Sequence, residues 1–104
     1  MKILITGAAG LVGSHLARRL ADHHEVLGLK HADLDITDAA AVRNCVGDAK
    51  PALIANCAVI QVEEAEKDPA KAQAVNADGP RYLAEAARNV GAEIIHFSTQ
   101  YAFA

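Results

Sequence analysis

The feature that most constrains the fold is a glycine-rich segment between a short apolar run and a helical pattern, all within the first 20 residues. Residues 2–6 predict a strand, and residues 11–22 carry apolar side chains at helical spacing. Between them, Gly7 allows a sharp turn, Gly10 lets a pyrophosphate approach the backbone, and Gly13 lets the helix pack closely on the strand. The segment therefore predicts a βα unit whose helix N-terminus binds the phosphates of a dinucleotide.

The spacing of these glycines is G-x-x-G-x-x-G, whereas the usual nucleotide-binding fingerprint is G-x-G-x-x-G. The alternative is an ordinary turn between a strand and a helix that merely tolerates glycine. The position of the motif, directly after a strand and before a helix, favours dinucleotide binding. The loop residues expected to contact the cofactor are Gly7, Ala9, Gly10, Leu11 and Val12.

Composition narrows the class of protein. With 104 residues the chain forms one domain at most, and 52% hydrophobic residues with only 4% aromatic suit alanine-rich helices packed on a sheet. A net charge of −3 disfavours broad attraction to nucleic acid. The sequence shows neither a long apolar stretch nor a signal peptide, which predicts a cytoplasmic protein without a membrane partner.

The cysteines and histidines form no metal-binding pattern. Cys45 and Cys57 fit neither a metal spacing nor a disulfide framework, and both are expected to be reduced and to serve as small apolar residues. The five histidines are not spaced as a ligand set, so no metal site is predicted.

The rest of the chain alternates between strand and helix patterns. Strands are predicted at residues 2–6, 25–29, 33–36, 52–56 and 93–98, and helices at 11–22, 38–46, 62–67 and 69–89. Gly47 and Gly91 are expected to end helices, and the Gly79-Pro80 pair is expected to kink the last helix. The alternation predicts an α/β fold, a Rossmann-like, doubly wound parallel sheet of about five strands, with crossovers that place helices on both faces.

Four segments carry a resemblance to a known family: KILITGAAGLVG, LDITD at residues 34–38, NCA at 56–58, and VNADGPRYLAEAA followed by HFSTQYAF. In them the chain resembles the N-terminal part of the extended short-chain dehydrogenase/reductases, and among these the dTDP-4-dehydrorhamnose reductases. The resemblance implies that residues 1–104 are the NAD(P)-binding Rossmann portion of an NADP(H)-dependent reductase. Its substrate would be a 4-keto-deoxysugar nucleotide, bound by a lobe that lies outside these residues.

The same resemblance implies roles for residues that follow the predicted strands. Asp35 and Ile36 would lie near the adenine, with the Asp35 carboxylate accepting a hydrogen bond from the exocyclic amine. Asn56, Cys57 and Ala58 would line the ribose side of the cofactor. Local roles are the alternative, since Asp35 also precedes a helix and Asn56 could satisfy backbone groups in a loop.

Two further positions are assigned through the resemblance. Asn76 would order the cofactor region or the neighbouring strands from within its helix, and Thr99 would be the catalytic hydroxyl that orients the substrate. Their local alternatives are a helix cap or kink for Asn76 and a strand end, together with Ser98, for Thr99. Gln100 stands where the relatives usually carry aspartate, and this departure removes a carboxylate near the substrate.

The end of the second strand bears on the choice of cofactor. A carboxylate there usually binds the ribose hydroxyls of NAD, whereas this chain has Lys30 followed by His31. A cation is compatible with a 2′-phosphate, so Lys30 favours NADP(H). NAD(H) is the alternative if Lys30 is a solvated surface residue.

The acid–base pair of the family, a tyrosine with a lysine four residues later, is missing from the chain. Tyr82 is followed at the fourth place by Ala86, and only three residues follow Tyr101. Without a proton donor of tuned pKa, the chain alone is not expected to transfer hydride. The sequence therefore predicts a fragment that binds a dinucleotide and is inactive by itself.

A fragment that stops after its last strand would leave that strand, at residues 93–98, on an open edge of the sheet. Unpaired edges invite pairing with another chain, so a homo-oligomer formed through this strand is expected.

Two other functions are compatible with the sequence. One is a non-catalytic, NADP-binding regulatory subunit resembling that of methionine adenosyltransferase, which Gln100 favours. The other is a pure interaction module, which is disfavoured because the loop glycines would then have no clear purpose.

Overall fold

Four parallel strands and their connecting helices make up the fold, in a computed structural model that describes residues 1–58 and 67–97. In chain order the elements are β1 (Lys2–Thr6), α1 (Leu11–Leu20), β2 (Glu25–Leu29), α2 (Ala39–Ala49), β3 (Leu53–Asn56), α3 (Pro69–Gln73), a π-helical segment (Ala74–Asp78), α4 (Gly79–Val90) and β4 (Glu93–His96). The strand order is β2-β1-β3-β4, and every neighbouring pair is parallel. This topology confirms the predicted Rossmann-like parallel sheet.

Side chains of the central strands alternate between two apolar layers, and helices cover both faces of the sheet. Leu4 and Ile54, paired in register, lie in the layer shared with α2 and α4, whose Val42 and Leu83 are fully buried. The opposite layer joins the sheet to α1 and contains Ile3, Ile5 and Ala55 with Leu16, Ala17 and Leu20. The sheet is therefore doubly wound, as the sequence predicted.

The strand predicted at residues 33–36 is wrong, because this segment forms turns. Leu34 and Ile36 are buried and alternate with exposed aspartates, which is the pattern of a strand. The Asp33 carboxylate, however, accepts a hydrogen bond from the Lys30 N–H at 2.9 Å. The Asp35 carboxylate accepts one from the Thr37 N–H, also at 2.9 Å. Such local hydrogen bonds compete with strand pairing, so the described sheet has four strands rather than about five.

Helix α2 begins at a side-chain cap and runs past the glycine that was expected to end it. The Asp38 carboxylate accepts a backbone N–H of the first turn at 3.1 Å. Gly47 lies inside the helix, which ends at Ala49 with Lys50 in the left-handed region at φ 47°. Pro51 supplies the stop, because the residue before a proline is disfavoured in the α conformation.

The irregularity predicted at Gly79-Pro80 takes the form of the π-helical segment that separates α3 from α4. Pro80 has no N–H to donate to the Asn76 carbonyl, and in a regular α-helix its ring would clash with that group. In the wider turn the Gly79 N–H donates to the carbonyl of Ala74, five residues earlier. The extra residue in the turn thus accommodates the proline without ending the helix.

Some element ends differ from the prediction by one or two residues. Helix α1 ends at Leu20 rather than residue 22, because the N–H groups of His23 and His24 both donate to the Leu20 carbonyl, at 3.2 and 3.0 Å. The helix predicted at residues 62–67 lies outside the described residues except for Lys67. Within the two described ranges, no helix combines the length and apolarity needed to cross a membrane.

Candidate functional site

A cleft of about 310 Å³ lies at the carboxyl ends of β1 and β3, the place where open parallel sheets bind ligands. The sequence-predicted residues that line it are Gly7, Ala9, Gly10, Asp35, Ile36, Cys57 and Ala58. The sequence did not predict four other lining residues, which are His31, Leu34, Lys71 and Val75. The cleft thus brings together the glycine loop, the turns after β2, the segment after β3 and the helix that precedes α4.

The glycine loop is held by close contacts between backbone segments. Gly7 adopts φ 67°, and a Cβ there would lie 2.6 Å from the carbonyl carbon of Cys57. A Cβ on Gly13 would lie 2.1 Å from the Gly7 carbonyl oxygen. Gly7 and Gly13 therefore have the steric roles predicted from the sequence, the sharp turn and the close packing of α1.

Helix α1 starts at this loop and presents the charge pattern of an anion-binding helix end. Gly10 is its N-cap, its first turn holds no acidic residue, and its last turn carries Arg18 and Arg19. The positive end of the helix dipole is thus left without a neutralising carboxylate. Leu11 and Val12, predicted to contact the cofactor, are 83% and 51% exposed and do not belong to the described lining of the cleft.

Asp35 is the acidic residue of the cleft, and a neighbouring threonine fixes its carboxylate. Its Oδ1 accepts the Thr37 hydroxyl at 2.6 Å and the Thr37 N–H at 2.9 Å. The hydroxyl and then the backbone hydrogen bond lower the pKa of Asp35, partial burial opposes them, and the positive charges of His31 and Lys71 add to the lowering. His31 Nε2 lies 3.9 Å from Asp35 Oδ1. Asp35 is therefore an anion at neutral pH, held in one orientation.

Replacing Thr37 with valine is expected to raise the pKa of Asp35, because the hydroxyl hydrogen bond is lost while the backbone bond remains. A carboxyl with a lowered folded-state pKa stabilises the fold above its unfolded pKa, and that stabilisation disappears as the pH falls through the folded value. The valine variant should therefore lose less stability than the wild type between neutral and acid pH. Carboxyl NMR titration and urea unfolding at both pH values measure the two effects.

Thr37→Ser is the matched control, since it keeps the hydroxyl and should keep the lowered pKa of Asp35. An Asp35 titration that is the same in Thr37→Val and wild-type protein would contradict the assigned cause.

The basic residues that line the cleft differ from the one indicated by the sequence. Lys30 is exposed and is not among the described lining residues, and its N–H donates to Asp33 Oδ2 at 2.9 Å. His31, the next residue, lines the cleft together with Lys71 of α3. The N-cap of α3, Asp68, accepts the Lys71 N–H at 3.1 Å and so fixes the start of the helix that carries this lysine.

Asn56 is buried and links the ends of three strands. The residue is only 2% exposed. Its Oδ1 accepts hydrogen bonds from the Thr6 hydroxyl at 2.6 Å and from the Ala58 N–H at 3.2 Å. Its Nδ2 lies 3.2 Å from His96 Nδ1 at the end of β4. Both polar atoms of the amide are thus engaged inside the protein, which favours the local role over direct cofactor contact. Through Ala58, the amide fixes a segment that does line the cleft.

Two other predicted residues are not among the described lining residues of the cleft. Asn76 is exposed in the π-helical segment and is not a lining residue, and Thr99, with Ser98 and Gln100, lies outside the described residues. Lys71 and Val75 come from this part of the chain instead. Residues four apart lie on the same face of a helix, so this spacing is the sequence signal that could have placed Lys71 and Val75 together at the cleft.

Both cysteines are free and half-buried. Burial raises the pKa of the Cys57 thiol, and burial together with the nearby Asp48 raises that of Cys45. Both side chains therefore stay protonated at neutral pH and pack as small apolar groups, which agrees with the role predicted from the sequence.

The walls of the cleft are mainly apolar, with mixed charges beside them. Leu34, Ile36 and Val75 are each less than a tenth exposed, and they offer surface that suits an aromatic base. Asp35 can accept a hydrogen bond from an amino group, and Lys71 attracts an anion. Among residues 1–58 and 67–97, no cluster of His, Cys, Asp or Glu could hold a metal ion. The arrangement suits an aromatic, phosphorylated ligand.

The chain is similar over its whole length to a known protein family, since the model of the RmlD substrate binding domain matches residues 1–104. A dTDP-4-dehydrorhamnose reductase from Streptomyces griseus is 48% identical over 102 residues, which cover 96% of this chain and 34% of that protein. The chain thus spans about a third of the length of the curated relatives it matches.

Solved structures share the fold. A dTDP-4-dehydrorhamnose reductase from Clostridium acetobutylicum gives a TM-score of 0.91 at 42% identity, covering 99% of this chain and 38% of that one. The reductase of the same name from Bacillus anthracis, solved in complex with NADP, gives 0.90 at 35% identity, covering 98% of this chain and 37% of that one. Nearly the whole chain therefore has a counterpart in these structures.

Proposed function

Since the chain belongs to the RmlD substrate binding domain family, we propose that it forms the dinucleotide-binding portion of an NADP(H)-dependent sugar-nucleotide reductase. The observation that carries the proposal is the cleft in which the glycine loop meets Asp35 and the segment after β3. The relatives named dTDP-4-dehydrorhamnose reductase support a 4-keto-deoxysugar nucleotide as substrate class, and the Bacillus anthracis complex supports NADP as cofactor.

The residues of the cleft fit the parts of such a cofactor. The loop of Gly7 and Gly10 would hold the pyrophosphate at the N-terminus of α1, where no acidic side chain opposes it. Ile36 and Val75 would contact the adenine, and the Asp35 carboxylate would accept a hydrogen bond from its exocyclic amine. When bound, the nicotinamide supplies the hydride, and the residues of this chain bind and orient the cofactor.

For the 2′-phosphate that distinguishes NADP from NAD, we propose His31 and Lys71 in place of Lys30. The first two line the cleft, and Lys30 does not belong to its described lining. A phosphate there would meet the Lys71 ammonium from α3 and the His31 ring from the turns after β2.

Titration calorimetry of the chain with NADPH and NADH tests the function and this assignment together. NADPH should bind more tightly, and Lys71→Gln should weaken its binding about tenfold with little effect on NADH. Lys30→Gln is the matched control and should change neither affinity. If neither dinucleotide binds at millimolar concentration, the proposed function is refuted. A loss of NADPH affinity seen only with Lys30→Gln would show that Lys30, the residue indicated by the sequence, binds the 2′-phosphate.

The chain alone is expected to bind the cofactor without turning it over. No tyrosine in residues 1–104 has a lysine four places later, so the acid–base would have to come from a longer polypeptide. Unchanged NADPH absorbance in the presence of a 4-keto sugar nucleotide, with NADPH binding intact, is the expected result. A non-catalytic regulatory subunit would also bind NADPH without oxidising it. A Tyr-x-x-x-Lys pair in the longer polypeptide would distinguish the reductase from it.

We further propose that isolated chains associate through β4. This strand stands at one end of the strand order, pairs only with β3 in the described sheet, and carries Ile95, which is 49% exposed. Such an edge can pair with the same strand of a second chain. Light scattering should show a species larger than a monomer that Ile95→Lys dissociates. Leu27→Lys on the opposite edge is the control, and a wild-type monomer at every concentration would contradict the proposal.

A further inference from the structure

Gly79, the first residue of α4, is packed against a side chain that lines the cleft. A Cβ at Gly79 would lie 2.5 Å from Ile36 Cδ1 and 2.7 Å from Ile36 Cγ1. Carbon atoms in favourable contact are about 3.5–4.0 Å apart, so both distances mean overlap. Ile36 therefore occupies the space that any side chain at position 79 would need.

Ile36 has little room to retreat into the protein. It is 3% exposed and belongs to the same buried cluster as Val42 and Leu83, which are fully buried. Close-packed interiors resist added methyl groups, whereas the cleft beside Ile36 is open space. An Ile36 side chain pushed by a new group at position 79 would therefore move toward the cleft.

We propose that Gly79 is a positioning residue, which by lacking a side chain sets the place of Ile36 and, through it, the width of the cleft where the adenine binds. The inference rests on the proposed function and extends the determinants of cofactor affinity to a residue outside the described cleft lining. Val75, from the π-helical segment directly before Gly79, reaches the cleft itself. The same stretch of helix thus acts on the adenine region directly through Val75 and indirectly through Gly79 and Ile36.

A double-mutant cycle with Gly79→Ala and Ile36→Ala tests this role, with NADPH affinity measured by calorimetry on samples that circular dichroism shows to be folded. Gly79→Ala should weaken NADPH binding about tenfold, because Ile36 then narrows the cleft. Ile36→Ala removes both Cδ1 and Cγ1, so the double variant should bind within about twofold of Ile36→Ala alone. Gly47→Ala is the matched control, since a Cβ in that part of α2 meets nothing within 4 Å and should leave the affinity unchanged.

Equal NADPH binding by wild type and Gly79→Ala would overturn the role of Gly79, as would a loss that persists between Ile36→Ala and the double variant. If Gly79→Ala alone does not fold, Ile36→Ala and the double variant carry the test. Equal affinity of those two supports the inference. A further loss in the double variant, or its failure to fold when Ile36→Ala folds, overturns it, since alanine at position 36 removes both overlapping atoms. The proposed function fails in a different way, in which the wild-type chain binds no NADPH.

Discussion

Replacing Gly13 with alanine is expected to lower the free energy of unfolding by about 3 kcal/mol. The new Cβ would lie 2.1 Å from the Gly7 carbonyl oxygen and 2.8 Å from its carbon. These are backbone atoms, so no side-chain rotation can relieve the overlap. Either α1 moves away from the loop or the turn at Gly7 opens. Urea unfolding followed by circular dichroism should show a lower midpoint with an unchanged slope.

Gly47→Ala supplies the control for this experiment, because it makes the same change inside α2 with no atom within 4 Å of the new Cβ. Alanine is the better helix former, so this variant should gain about 0.5–1 kcal/mol. A Gly13→Ala protein with the wild-type midpoint would show that α1 does not pack on the loop as described.

Replacing Asn56 with alanine is expected to cost about 3 kcal/mol of stability, because several buried polar groups would lose a partner at once. The Thr6 hydroxyl and the Ala58 N–H both donate to its Oδ1, at 2.6 and 3.2 Å, and its Nδ2 lies 3.2 Å from His96 Nδ1. The Ala58 amide should also exchange its hydrogen faster, since Asn56 is its partner. Urea unfolding and hydrogen exchange by NMR measure the two effects.

Thr6→Val separates the parts of this network. It removes one hydroxyl and leaves the Asn56 amide its bonds to Ala58 and His96, so it should cost only about 1 kcal/mol. Equal losses for Asn56→Ala and Thr6→Val, or an unchanged exchange rate at Ala58 in Asn56→Ala, would show that the amide is not the centre of the network.

The glycine loop and the order of elements were predictable because both depend on local requirements. The left-handed turn at Gly7 and the packing of Gly13 against the Gly7 carbonyl both require a residue without a side chain. Glycine at these two positions therefore indicates the geometry directly. The apolar runs of β1 and β3 similarly predict strands covered on both faces, since successive residues such as Leu4 and Ile5, or Ile54 and Ala55, enter opposite core layers.

Competition between strand pairing and local hydrogen bonds explains why the strand at residues 33–36 was mispredicted. Leu34 and Ile36 have the alternation of a strand, yet Asp33 and Asp35 bond to their own backbone and hold the segment in turns. An apolar pattern reports which side chains are buried and says nothing of which backbone groups are already satisfied. A strand and a loop that bury the same side chains are therefore alike in sequence.

The charged side of the cleft was not predictable from neighbouring residues, because it depends on contacts between distant elements. Lys30 and His31 are adjacent in the chain, and only the position of the turn decides that His31 lines the cleft. Lys71 reaches the same cleft from α3, which no pattern around β2 could reveal. Asn56 likewise has the residue type of a cofactor ligand, and only the presence of Thr6 and His96 beside it makes it a structural link.

The π-helical segment absorbs one residue without changing the phase of the helices on either side of it. A π-helical turn contains about one residue more than an α-helical turn and still completes one revolution. Deleting one residue from Ala74–Asp78 would therefore leave Lys71 at the cleft and Leu83 in the core. The Pro80 ring would then meet the carbonyl four residues before it, as in any regular α-helix. The extra residue thus lets a helix that contains a proline serve both core and cleft.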